Sequence, residues 1–322
     1  MIGHARATAH CRCCTGPLTH RFQVASWRAP GWPTFEYGEC ADCGSITLID
    51  DIDPVPFYND YFAHRPRHVP PPSAMRRGLA VVAEHTVMKS PALARVAAVA
   101  GHRPEWLGWF AGSGLGRDAA ILDVGCGSGA LLLGLRRWGF TDLVGADPYL
   151  TGSTSAAPGV DLLPCRLEEV SRDDFQVVIF HHSLEHVDDP VRMLRLARDR
   201  LAGEEVRIVV ALPVAQGPVW EEYRDNWVGL DPPVHRFVPT IEGVRRLAAR
   251  VGMRTGRMCA TSPPYHVVSS ELISRRADPF AHPEATISPR GLRHLASRAR
   301  RLATLARCPQ VSVVLLPDGG GR

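Results

Sequence analysis

From Ala119 onward the chain alternates short, continuous apolar runs with stretches of helical length. The runs AAILDVG, DLVGADP, FQVVIFHH and EVRIVVALP have few polar interruptions, as expected of strands covered on both faces. Between them, ALLLGLRRWG stops at Gly139 and PVRMLRLARDRLAG is a helix closed by Gly203. Such alternation predicts an α/β fold: a doubly wound, Rossmann-like open sheet with right-handed crossovers. TIEGVRRLAARVG predicts a further helix, with Thr240 as N-cap, Glu242 in the first turn and Gly252 at its end. MRTGRMCATS predicts a strand, SPRGLRHLASRARRLATLAR a basic helix and QVSVVLLPDG a final strand, placed antiparallel at the sheet edge. Residues 263–308 then read as an insertion.

The first third of the chain has a different texture. Five of the nine cysteines fall within residues 11–14 and 40–43. A proline-rich stretch, Asp53 to Pro72, reads as an irregular connector. Apolar positions from Leu79 to Val99 then have helical spacing, interrupted near Pro91 and Pro104. The predicted organisation is a cysteine module over 1–52, a connector with helices over 53–118, and the α/β domain over 119–322.

Within the module, Cys11, Cys14, Cys40 and Cys43 form two C-x2-C pairs separated by 25 residues. Two thiolate pairs in tight turns can meet as a tetrahedral four-sulfur site, which suits Zn²⁺. Four protein ligands leave no open position, so the expected role of the zinc is structural. Cys13, His10 and His20 are further donors nearby and leave the exact set open.

Composition narrows the classes. A chain of 322 residues with 45% hydrophobic content can bury a substantial core, and its net charge of +4 gives little support for nucleic-acid binding. The arginines between Arg293 and Arg307 read as a solvated helix face. No apolar run is long enough to span a bilayer, and the N-terminal stretch has no secretory pattern, so a cytoplasmic, non-membrane protein is expected.

The loop after the first α/β strand, G-C-G-S-G-A, satisfies the loose dinucleotide pattern G-x-G-x-x-G/A. Two carboxylates favour a smaller nucleoside instead. Asp123 lies two residues before Gly125, where a negative charge suits an ammonium and a sulfonium and repels a pyrophosphate. Asp147 lies 20 residues after Gly127 and ends the next strand, where it can accept both ribose hydroxyls. The close glycines Gly125, Gly127 and Gly129 let the backbone pass near a small flexible ligand.

LDVGCGSG and GADP resemble the first motif and the acidic strand end of class I S-adenosylmethionine-dependent methyltransferases. The resemblance implies a seven-stranded doubly wound sheet with S-adenosyl-L-methionine above the carboxyl ends of its early strands. It places Asp123 and Gly125 near the methionyl part and Asp147 on the ribose, with Cys126, Gly127, Gly129 and Pro148 completing the two motifs. CRLEEVSRDDFQVVIF resembles the family's adenine-reading segment, which implies Leu167 against the ring and Glu168 at its polar edge. The family usually has Asp where this chain has Gln176. FHHSLEHVDDP resembles a subgroup signature beside the reactive methyl, bringing in His181, His182, Glu185 and His186. PPVHRFVPT resembles a segment overhanging the acceptor, with His235 and Phe237; Trp220, Tyr223 and Trp227 are candidate pocket walls.

The cysteine module is similar to a zinc-binding domain fused ahead of certain bacterial methyltransferases, including sugar C-methyltransferases of natural-product pathways. PFYNDYF resembles their connector and makes Tyr58 and Tyr61 candidates. The large C-terminal domain of the sugar enzymes has no counterpart in this sequence, which puts their substrate in doubt.

The resulting expectation is methyl transfer from S-adenosylmethionine to a small-molecule acceptor, with a sugar nucleotide or biosynthetic intermediate among the candidates. The sulfonium methyl is already activated, so the protein must chiefly align the acceptor and exclude water. A base is needed for a hydroxyl or an acidic carbon, and His182, His186 and His235 are the candidates. Two rivals remain: a non-catalytic protein that senses the cofactor and binds a partner, and an RNA methyltransferase using the arginine-rich helix.

Overall fold

The structure, a computed structural model, describes residues 10–53, 55–57, 106–110, 113–279 and 282–318. Tyr58, Tyr61 and the predicted helices before Trp106 lie outside the described residues.

Two sheets organise the fold. The first is antiparallel: β1 (Leu18–Ala25), β2 (Thr34–Cys40) and β3 (Ile46–Leu48) come from the cysteine module. Its fourth strand does not. It is β10 (Phe237–Val238), which pairs with β3 in the register Phe237 opposite Thr47 and Val238 opposite Ile46. The short strand supplied by the α/β domain therefore completes the module's sheet.

The second sheet has eight strands among the described residues. In sequence order they are β4 (Ala120–Val124), β5 (Asp142–Ala146), β6 (Thr154–Ala157), β7 (Val160–Leu163), β8 (Val177–His181), β9 (Arg207–Pro213), β11 (Met253–Thr261) and β12 (Gln310–Pro317). Across the sheet they run β11-β12-β9-β8-β4-β5-β7-β6. Strands β7, β5, β4, β8 and β9 are parallel, and β4, β8 and β9 are buried almost throughout, as their apolar runs require. The order reverses between β4 and β8, so β4 and β5 lead away from a topological switch point, where ligands of such sheets bind.

The final strand corrects the expected topology. β12 is antiparallel, but it lies between β9 and β11 instead of at the edge. Six consecutive buried positions, Gln310 to Leu315, explain the placement, because an edge position would leave one side of that backbone unpaired. The antiparallel edge is β6, which forms a hairpin with β7 and makes an eighth strand.

Helices cover the large sheet: α1 (Ala130–Arg137), α2 (Pro190–Arg198) and α4 (Ile241–Ala249). Helix α2 ends at Arg198, short of Gly203. The third helix in chain order, α3 (Gly217–Tyr223), joins α5 (Pro264–Ser274) and α6 (Pro289–Arg301) against the small sheet. That layer buries Trp220, Trp227, Val267 and Ala299 with Val24, Tyr37 and Leu48 in one apolar cluster. The segment 263–308 is thus a helical pair that supports the cysteine module.

Gln176 replaces the usual acidic residue without disturbing the sheet. Its side-chain oxygen accepts a bond from the Ala120 amide at 3.1 Å, while its own amide donates to the Ala120 carbonyl at 2.9 Å.

Thr240 caps α4 as expected and also fastens the module. Its hydroxyl oxygen accepts from Gly243 N at 3.0 Å and donates to the Cys43 carbonyl at 2.5 Å, while Thr240 N donates to Ser45 Oγ at 3.2 Å. Thr240→Ala should destabilise the fold by about 1–2 kcal/mol in urea denaturation, while Thr240→Ser should keep most of the parent stability.

Candidate active site

A cleft of about 420 Å³ opens at the carboxyl ends of β4, β5 and β8. Its floor is the glycine loop. Gly125, Gly127 and Gly129 all have left-handed backbone, with φ of 74°, 52° and 72°. A Cβ on Gly125 would fall 2.6 Å from the Cβ of Ser183, so the loop between β4 and α1 lies directly against the turn after β8. Ser183 tightens this junction by donating its hydroxyl to the Val124 carbonyl at 2.5 Å. Gly125 N in turn donates to the Ala146 carbonyl at 2.8 Å, tying the loop to the end of β5.

The two carboxylates behave differently. Asp147 is buried, and both its oxygens accept backbone bonds: Oδ2 from Gly127 N at 2.9 Å and Oδ1 from Tyr149 N at 2.8 Å. It holds the glycine loop and the β5 turn together at the cleft wall. Asp123 is buried with no hydrogen-bond partner for Oδ1. Burial, with added repulsion from Asp147, pushes its carboxyl up to about 7.

The opposite wall carries Leu167 and Glu168, which lie on a short 3₁₀ turn at Leu167–Glu169. Glu168 Oε1 pairs with Arg192 Nη1 at 2.7 Å, and Arg200 donates to the Glu168 carbonyl at 3.0 Å. The third side comes from His181, His182 and His186. His182 has φ of 56°, an uncommon conformation for a residue other than glycine, and its Nδ1 lies 3.5 Å from Glu185 Oε1.

Behind this wall Glu185 is fully buried, and neither carboxylate oxygen has a hydrogen bond. Burial opposes its charge, yet His182, His186 and His235 around it outweigh that cost and hold its carboxyl at about 2. Burial, reinforced by His235, pushes the His186 imidazole down to about 4. His186 Nδ1 meets the Val234 carbonyl at 3.2 Å and His235 Nδ1 donates to the Gly229 carbonyl at 2.8 Å. The two rings are edge to face, with centroids 4.8 Å apart.

Residues 103–255, which supply the glycine loop, both carboxylates and the histidine wall, match a family described as "Methyltransferase domain". The match covers just under half of the chain and is to a methyltransferase domain. Among solved structures it is similar to a cyclopropane synthase, MmaA2, from Mycobacterium tuberculosis: 17% identity over 63% of this chain and 79% of that one, with a TM-score of 0.40. It is also similar to an S-adenosylmethionine-dependent methyltransferase from Mesorhizobium loti: 15% identity over 63% of this chain and 93% of that one, with a TM-score of 0.40. No curated protein sequence matches the chain. Among the described residues no helix is long and apolar enough to cross a membrane.

Within residues 103–255, several candidates from the sequence meet at the cleft and others do not. Gly125, Gly127, Asp147, Pro148, Leu167, Glu168, His181, His182 and His186 line it. The Cys126 side chain turns into the core, where a Cβ on Gly145 would come within 2.6 Å of its sulfur. Gly129 serves as the left-handed N-cap of α1. His235 is buried behind His186, outside the cleft lining. Trp220, Tyr223 and Trp227 do not line this cleft. They are buried against the small sheet, with Trp220 6.1 Å from Phe22 and 5.7 Å from Trp227, because covering such large apolar surfaces outweighs lining a wet cleft.

The cysteine module reaches this region through residues that carry no sequence motif. Tyr37 donates its hydroxyl to the His235 carbonyl at 3.0 Å. Arg28 forms a buried two-pronged pair with Asp231, both contacts at 2.5 Å, and Asp231 Oδ2 lies 3.9 Å from His235 Nε2. Despite burial, Arg28 holds the Asp231 carboxyl below its usual range. Arg236 N donates to the Glu185 carbonyl at 2.8 Å, and its guanidinium pairs with Asp188 at 2.7 Å. Partners of this kind lie about 200 positions apart in sequence, so no local pattern announces them.

In the module itself, the sulfurs of Cys11 and Cys43 are 3.6 Å apart, those of Cys14 and Cys40 3.5 Å, and those of Cys14 and Cys43 3.4 Å. A tetrahedral ion with metal–sulfur bonds of about 2.3 Å needs sulfurs about 3.8 Å apart, so the four thiols fit one. Cys13 is buried beside them, its amide donating to the Cys11 sulfur at 3.4 Å, and is not one of the four. The thiol of Cys40 is pushed up to about 11 by burial, and contact with Cys13 and with Cys11 respectively raises Cys11 and Cys43 further. A cation would reverse that order by stabilising thiolates.

Asp123 gives a pH test. Its folded pKa of about 7 lies above the unfolded value of about 3.9, so the protonated carboxyl favours the fold. Its contribution is fully present below about pH 4 and is lost as pH rises toward 7. Melting temperatures of the cofactor-free protein should fall over that range in the parent and fall less in Asp123→Asn. Parallel profiles would contradict the assignment.

Proposed function

We propose that the protein transfers a methyl group from S-adenosyl-L-methionine to a small-molecule acceptor admitted at the histidine wall. The observation that carries this reading is one cleft with two chemically distinct sides: carboxylates and glycine backbone at one end, imidazoles at the other.

On the cofactor side, Asp147 accepts the ribose hydroxyls, and Leu167 and Glu168 receive the adenine. Asp123, buried near the end of β4 and outside the cleft lining, would in its ionised form attract the ammonium and sulfonium of the donor. Its raised pKa ties ligand charge to proton release: a cation favours the carboxylate, so the donor binds better once the proton has gone. On the acceptor side, His182 lines the cleft with Nδ1 facing Glu185, which orients the ring and favours a proton on it. His182 is therefore the best-placed base for a hydroxyl or acidic carbon, with His186 and His235 forming the wall behind it. The acceptor atom attacks the methyl carbon, the carbon–sulfur bond breaks with its electron pair remaining on sulfur, and the proton passes to the base.

Zn²⁺ held by Cys11, Cys14, Cys40 and Cys43 would act as a structural crosslink. Its effect on activity runs through the small sheet, Tyr37 and Arg28 to the His235 segment.

The rivals differ at the cleft. A non-catalytic sensor has no need of space beside the imidazoles, yet His182 and His186 both face open volume. An RNA enzyme would need a basic track, but Arg298 of the basic helix is committed to Glu222.

Calorimetry with S-adenosylmethionine tests the cofactor half. Asp147→Ala should weaken binding roughly 10- to 100-fold, the scale of one or two lost hydrogen bonds to a charged group. Parental affinity should rise as pH passes through about 7, and Asp123→Asn should flatten that rise. Unchanged affinity in Asp147→Ala would overturn the ribose assignment. For the acceptor half, methyl-labelled donor and a metabolite pool should give a labelled small product, lost in His182→Ala while donor affinity persists. Label found only in RNA would decide for the rival.

Removing metal with a thiol-directed chelator should release about one zinc per chain and destabilise the fold by several kcal/mol. Donor affinity measured on any protein that remains folded should change less than turnover.

A further inference from the structure

We propose that Glu185, His186 and His235 form a second metal site, taking a divalent transition-metal ion through two imidazoles and one carboxylate. It is separate from the four-cysteine cluster and differs from it in ligand chemistry. One donor atom from each of the three residues lies within 4.8 Å of the others.

Glu185 supplies the strongest reason. Its side chain has no solvent exposure, and both carboxylate oxygens lack a hydrogen-bond partner. A carboxylate taken out of water without bonded donors is strongly disfavoured unless a cation compensates it. The imidazole nitrogens around it stand at long range, His182 Nδ1 at 3.5 Å and His235 Nε2 at 4.0 Å. The guanidinium of Arg28, beside His235 through Asp231, is already committed to that carboxylate.

The imidazoles are oriented as metal ligands are. Each directs Nδ1 to a backbone carbonyl, His186 to Val234 at 3.2 Å and His235 to Gly229 at 2.8 Å. A carbonyl only accepts, so the proton resides on Nδ1 and the lone pair on Nε2. Such an outer bond fixes the ring and its tautomer in metal centres generally. Bonds of about 2.1 Å in tetrahedral geometry place ligands about 3.4 Å apart, so side-chain rotations must draw the three inward by up to about 1.4 Å. A mixed nitrogen and oxygen donor set suits Zn²⁺, Fe²⁺ or Mn²⁺ and disfavours Mg²⁺ and Ca²⁺.

The site is reached from the cleft, because His186 lines it. Three protein ligands leave positions where an oxygen of the acceptor can bind. That use of the ion rests on the methyl-transfer reading; the metal site itself does not.

The test is metal stoichiometry on the full chain, with Zn²⁺ and with Co²⁺ as the probes. After dialysis against either ion, the parent should hold two equivalents. In the cobalt form the cysteine cluster gives intense thiolate charge-transfer bands, while a nitrogen and oxygen site gives weaker visible bands. Glu185→Gln should keep the thiolate bands, lose the weaker set and hold one equivalent. The retained thiolate bands report that the variant has folded. If Glu185→Gln fails that criterion, His235→Asn is read in the same way. A single equivalent in the parent, or a second equivalent that survives in the folded variant, overturns the proposal. Donor affinity measured alongside separates this outcome from failure of the methyl-transfer reading.

Discussion

Two residues, Phe237 and Val238, belong to both halves of the molecule. They follow His235 in the chain and pair with Thr47 and Ile46 in the cysteine module. Because successive strand residues point to opposite faces, that pairing fixes Phe237 in the core of the α/β domain and Val238 in the module cluster. His235 is then held from three directions, by Tyr37 on its carbonyl, Gly229 on its ring and the Arg28–Asp231 pair beside it. The module's first β-hairpin is thus part of the framework around the histidine wall. At the other end of the cleft, Asp147 and Ser183 join the glycine loop to its neighbouring turns.

The electrostatics divide along the same line. Asp123 and Asp147 repel each other at one end, a cost that a cationic ligand would relieve. At the other end, one buried carboxylate is ringed by His182, His186 and His235. A donor that is positive before transfer and loses its sulfonium charge afterwards would be held more strongly as substrate than as product.

What could be read from sequence was what local chemistry determines. Apolar runs located the parallel strands, and the Gly125 loop with Asp147 located one wall of the cleft. Thr240 was readable as a cap because capping is decided within four residues. Side-chain direction was less accessible. Cys126 lies inside the glycine motif yet packs on Gly145, and Trp227 has the character of a pocket wall yet fills the interior. Both follow from packing against strands distant in sequence. The position of β12 depended likewise on a vacancy between β9 and β11 that no local pattern reveals. Arg28, Tyr37 and Asp231 were missed for the same reason: each is ordinary until its partner is known.

The shared strand β10 also limits how the gene could be divided. Cutting away everything before the α/β domain would strip β10 of β3, its one sheet neighbour among the described residues, and uncover the apolar surface of Trp220, Tyr223 and Trp227. The fragment would carry an intact glycine loop together with a sticky flank, inviting self-association. Any rearrangement that exchanged such modules between enzymes would have to bring along the complementary strand, its helical backing and the residues leading into it.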